Sequence, residues 1–135
     1  MQRRSLNRGL FLALVLSGNS HAQAVQIIDA NRFPELVQPI FDEHCVICHM
    51  TGAENGGLAL ESGRSLAGLV GVPSTESSLQ RVSPGDPASS YLMKKLLGVE
   101  LAVGGQGEQM PLGMRPLPAE DISTIEAWIR SLSKK

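Results

Sequence analysis

The segment FDEHCVICHM, residues 41 to 50, holds both cysteines of the chain and two of its three histidines. Cys45 and Cys48 are three residues apart, and His49 follows directly. A chain that uses cysteine only as this pair commits the stretch to one local purpose, and four purposes compete. A disulfide across so short a loop closes little chain entropy and makes a poor staple. A thioredoxin-like pair needs a βαβ surround, whereas the flanking sequence is rich in Gly and Pro and lacks alternating strands. Zinc needs ligands converging on a tetrahedron. Two Cys with a directly adjacent His do not easily face one ion, and no second pair follows downstream.

The fourth purpose is covalent haem. In a C-x-x-C-H segment the thiols add to the two haem vinyl groups as thioethers. The histidine that follows then serves as proximal iron ligand. This use accounts for the spacing, for His49 and for the lack of other cysteines. It also supplies a large apolar body to a small chain with only 4% aromatic residues, where the ratio of surface to volume is unfavourable.

The beginning of the chain bears on the compartment. Arg3, Arg4 and Arg8 precede a short apolar run, Leu10 to Leu16, and Ala22-Gln23-Ala24 gives the small-x-small pattern of a cleavage site. The run is shorter than the roughly 20 apolar residues that span a bilayer. A retained anchor or a buried helix is the competing reading. The expectation is a secretory leader over 1–24 and one domain over 25–135, with a periplasmic or otherwise exported location and no transmembrane span after cleavage. The whole chain carries 12 basic and 13 acidic residues, and the leader removes three Arg and no acid, leaving a net charge of about −4. No basic patch is present, which argues against nucleic acid as a partner.

Haem iron has a second axial position, and a methionine thioether there suits electron transfer. Met50 adjoins His49 and cannot reach the opposite face, while Met93 lies among Leu92, Leu96 and Leu97 and reads as core. Met110 and Met114 fall in GGQGEQMPLGMRPLP. Glycines let this backbone approach a macrocycle closely, and Pro111 stiffens the residue before it. Met110 is the preferred distal ligand and Met114 its rival. Both could instead pack on the haem edge. His44 precedes Cys45 and reads as a surface or propionate-side residue.

The remaining sequence reads as helices and loops. Helical patterns cover Pro34 to His44, continuing into the cysteine segment, with a regular start near Gln38 because of Pro39. Ser65 to Val70 follows, then Asp86 to Leu97 with Asp86 as N-cap and Pro87 at the first position. A last helix runs from Pro118 to about Leu132, with Ile122, Ile125, Ile129 and Leu132 at helical spacing beside Trp128. That stripe is expected against the first helix, near Ile40 and Phe41 and close to the haem edge. Asn55-Gly56-Gly57 signals a turn, and Leu58 to Leu60 could be briefly extended. The fold class expected is all-α, with about four to five short helices around one haem.

These features together resemble bacterial class I monohaem cytochrome c domains. The resemblance covers nearly all of residues 37 to 132 through "VQPIFDEHCVICH", "GGLAL", "VSPGDPASSYLMKKL", "MPLG" and "LPAEDISTIEAWI". It implies one covalent haem c on Cys45 and Cys48, His49 as proximal and Met110 as distal ligand, and no enzymatic activity of its own. The function it implies is transfer of single electrons between donor and acceptor proteins, which could include an exported dehydrogenase or oxidase. The chain departs from older members in lacking a Lys-rich surface and in its long Gly-rich stretch from Gly98 to Glu108. Two other functions compete. A peroxidase-like enzyme or gas sensor needs an open distal site with a polar group, for which only Arg115 is near. A redox-inert module would use haem as core filler.

Overall fold

The computed structural model describes residues 29–133. The leader expected over 1–24 lies outside them. Five α-helices are present among the described residues: α1 (Phe33–Leu36), α2 (Gln38–His44), α3 (Ser65–Leu69), α4 (Tyr91–Leu97) and α5 (Ala119–Ser131). No strand is formed among those residues, and only isolated bridges such as Val70 with Val82 and Gln80 with Ser90 occur. No described helix is long and apolar enough to cross a membrane. The all-α expectation is met.

The first helical stretch divides at Val37, which caps both α1 and α2. Pro39 sits in the first turn of α2, where its missing N–H costs nothing. The helix does not run on regularly through the cysteines. It ends at His44, and the next residues form irregular turns, with Val46 N–H reaching back to Phe41 O at 3.0 Å, Cys48 N–H donating to Cys45 O at 3.1 Å and His49 N–H to the same oxygen at 3.0 Å.

The stretch from Asp86 also differs from the single helix expected. Asp86 caps only a 3-10 turn, Pro87–Ser89, with its carboxylate accepting from Ser89 N–H at 3.1 Å. Ser90 is extended because it bridges to Gln80, and Tyr91 N–H donates to Gln80 O at 2.9 Å. That pairing uses the backbone that a continuous helix would need, so α4 begins afresh at Tyr91. The Gly-rich stretch read as loop contains another 3-10 turn, Glu100–Val103.

One core joins these pieces. Val37, Phe41, Leu69, Val82, Ile125, Trp128 and Ile129 are all fully buried. Phe33 bridges two of them, with ring centroids 4.8 Å from Trp128 and 5.9 Å from Phe41. Ile122 and Leu132 pack at the margin of this core. Trp128 therefore rests mainly on Phe33, which the periodicity did not single out. It is not among the residues lining the cleft described next. Its indole N–H is buried without a protein hydrogen-bond partner among the described residues, and its rings are held by packing.

Candidate functional site

The cysteine turn, α4 and the loops before and after it enclose an open cleft of about 430 Å³. Cys45, Cys48 and His49 form one part of its wall, and Met110 and Met114 contribute from the late loop. Leu58, Leu60, Leu69, Leu92 and Leu96 make much of the remainder apolar. The residues singled out from sequence are thus gathered on one concave surface.

Each is fixed by its surroundings. The Cys45 and Cys48 sulfurs are not bonded to each other. Burial, and secondarily the neighbouring Cys48, push the Cys45 thiol up to about 12. A reactive redox pair needs the opposite shift, so the surroundings of Cys45 do not favour a thioredoxin-like role.

His49 Nδ1 lies 3.1 Å from the carbonyl oxygen of Asn55. A carbonyl can only accept, so Nδ1 carries the proton and Nε2 keeps the free lone pair. Burial holds the His49 imidazole below its ordinary range, opposed by the Asn55 contact and by the charges of Glu76 and Glu54. A neutral ring with Nδ1 tethered and Nε2 free is the state a metal-ligating histidine requires.

Asn55 is in turn held by the segment around it. The Arg81 guanidinium donates to Gly56 O at 2.8 Å, Gly57 O at 3.1 Å and Gly68 O at 2.8 Å, joining the Asn-Gly-Gly turn to α3. Gln38 makes a second seam. Its amide donates to Leu60 O at 2.9 Å and Asp42 Oδ1 at 2.7 Å, and its carbonyl accepts from the Ser65 hydroxyl at 2.5 Å. Nothing in the sequence flagged Arg81 or Gln38. Apart from Asp42, four residues on from Gln38, their partners lie far along the chain and carry no local pattern.

The late loop is anchored on the end of α4. The last carbonyls of a helix lack partners within it. Here Lys95 O accepts from Met110 N–H at 2.9 Å, and Leu96 O accepts from the Gln109 side chain at 2.8 Å. Gly98 closes the helix in the left-handed region, φ 68°. Met110 is partly buried and packs on the core, whereas Met114 is 56% exposed. Both face the cleft, but only Met110 has its backbone tied to a rigid element. His44 also lines the cleft, its Nε2 3.8 Å from Asp121 Oδ2. Arg115 is exposed.

The donors fit a haem. An apolar cleft carries two unpaired thiols three residues apart, an imidazole with one free nitrogen, and the thioethers of Met110 and Met114 from the late loop. Among the described residues no cluster of three or more His, Cys, Asp or Glu is able to hold a bare metal ion.

Comparison with known proteins agrees. The family model "Cytochrome c" matches residues 35–133. No curated protein matches the chain. No solved structure matches it. This family binds haem c covalently and works in haem-based electron transfer. The match spans most of the chain and all of the cleft, and the chain belongs to the cytochrome c family.

Proposed function

We propose that the chain is an exported single-electron carrier, with haem attached through Cys45 and Cys48 and its iron held by His49 and Met110. The observation that carries this reading is the convergence of these four side chains on one apolar cleft, with His49 Nδ1 tied to Asn55. When bound, the haem supplies the reversible one-electron chemistry.

The chain's residues do the rest. The Asn55 carbonyl fixes the plane and tautomer of His49 and strengthens Nε2 as a donor. A thioether at Met110 is a soft ligand that favours the reduced state. The leucines of the cleft wall exclude water, which limits reorganisation when charge changes. Ile47, 81% exposed, and Leu112 and Met114, also exposed, border the cleft mouth and give a redox partner an apolar face to approach.

An enzymatic role finds less support. Three polar side chains of the cleft wall are already engaged, Arg81 with three carbonyls and Lys95 and Tyr91 with Gln106 O. They hold loop backbone instead of standing free to act on a bound ligand.

The test uses protein made in a host that attaches c-type haem. Haem stain should remain on the polypeptide through denaturing electrophoresis, and Cys45→Ser or Cys48→Ser should lower the yield of coloured protein. The oxidised protein should show the weak absorption near the red edge of the visible spectrum that reports methionine on ferric iron. Met110→Ala should abolish that band and admit cyanide, and Met114→Ala should preserve it. The reverse result would move the ligand to Met114, and colour lost on denaturation would exclude the thioethers.

A further inference from the structure

We propose that Lys95 is a positioning residue for Met110. The inference rests on Met110 being the distal ligand. Lys95 lies on the last turn of α4 and is only 8% exposed, with leucines 92 and 96 beside it in the cleft wall. Burying an ammonium group there is unfavourable unless its protons find acceptors. They do: Nζ donates to Gln106 O at 2.9 Å and lies 3.7 Å from Glu76 Oε2. The same residue's carbonyl accepts from Met110 N–H at 2.9 Å.

Lys95 therefore grips the five-residue segment 106–110 at both ends, through its side chain at one and its backbone at the other. Tyr91, one helical turn earlier, adds to the first grip, its hydroxyl 3.2 Å from both the N and the O of Gln106. The loop backbone is shaped for this contact. A Cβ on Gly105 would come within 2.6 Å of the Tyr91 ring, and one on Gly107 within 2.9 Å of Lys95 Nζ. An apolar side chain at position 95 would fill the wall but leave the start of the segment held by the longer Tyr91 contacts alone. With that end held more loosely, the thioether of Met110 would sample more positions and spend less time at the iron.

Two variants of the haem-loaded protein separate this role from simple stability. Lys95→Met keeps the stem and loses the donor, and Lys95→Arg keeps donor and charge. Cyanide binding to the oxidised protein reports how often the methionine leaves the iron, and far-UV circular dichroism in urea reports global stability. Losing a charge-assisted hydrogen bond should raise the cyanide association rate of Lys95→Met about tenfold or more. Lys95→Arg should restore a rate near wild type. Trp128→Ala serves as the control, destabilised in the packed core at a residue that does not line the cleft.

The inference is overturned if Lys95→Met admits cyanide at the wild-type rate. It is equally overturned if Trp128→Ala admits cyanide as fast as Lys95→Met at a urea concentration giving equal stability, because the effect is then only structural. Met110→Ala distinguishes the two levels of the argument. If it opens the site and Lys95→Met does not, the positioning role alone fails. If it leaves the red-edge band and the cyanide rate unchanged, the ligand assignment fails and takes this inference with it.

Discussion

On one side of the molecule Phe33, Phe41, Ile125, Trp128 and Ile129 meet in an apolar core, with an indole N–H that has no partner among the described side chains and backbone. On the cleft side, the segments around residues 55–60 and 105–110 are held by Gln38, Arg81, Tyr91 and Lys95, nearly always through backbone carbonyls. The contrast has a physical reason. A cleft wall must present apolar surface inward to a cofactor, so it cannot use that surface to hold itself together. Polar side chains reaching from behind supply the missing cohesion. The packed side contributes stability, and the tied side contributes geometry.

The largest test of that division is Trp128→Ala. Removing the centre of the packed side should cost about 3–5 kcal/mol in urea denaturation, a large share of the roughly 5–15 kcal/mol typical of a domain. A loss below about 0.5 kcal/mol, within the range of ordinary surface changes, would erase the contrast. Gln38→Ala comes next. It strands Leu60 O and the Ser65 hydroxyl in a buried seam, and should cost about 1–3 kcal/mol. Gln38→Glu, which sets a second carboxylate against Asp42 and the Leu60 carbonyl in the buried seam, should cost more than Gln38→Ala.

Arg81→Lys sharpens the comparison further. An ammonium group cannot reproduce a guanidinium fork reaching three carbonyls. Because Arg81 is only partly buried, the global cost should be small, about 1 kcal/mol. Amide hydrogen exchange at Gly57, whose N–H donates to Glu54 O, should nevertheless accelerate while the amides of α5 do not change. Uniform acceleration would mean that the two sides are not separable.

The smallest effect concerns Tyr91, the only tyrosine of the chain. Burial raises its phenol above the ordinary value of 10.0, opposed by the Gln106 contact and reinforced by the charge of Glu76. The folded state thus holds this proton more tightly than the unfolded state. Its contribution to stability is complete below pH 10 and is lost as pH rises through the higher folded value. Phenolate absorbance should appear later in folded than in unfolded protein, and a midpoint at the ordinary value would argue that the phenol does not sit behind the loop.

Legibility in the sequence followed the same line. The cysteine turn, the terminal helix and Met110 in a loop were visible because spacing and periodicity are local. The break between Pro87 and Tyr91 was not, because it depends on Gln80 pairing with Ser90. Gln38 is 27 residues from Ser65 and 22 from Leu60, and Arg81 is 25 from Gly56. A polar residue that serves a distant carbonyl looks in sequence like any surface residue. Phe33 was passed over for a related reason, since α1 is too short to show a period.

The docking of Met110 N–H on Lys95 O has a consequence for how the molecule opens. A helix end ordinarily frays by itself, one carbonyl at a time. Here the final carbonyls of α4 are capped by residues more than ten positions downstream, so the helix end and the loop release each other's hydrogen bonds together. They form one cooperative unit, open or closed as a whole. Excursions of the loop are then rarer than its many glycines suggest, and each exposes the last turn of α4 as well. Fraying and displacement of Met110 become a single event with a single free energy.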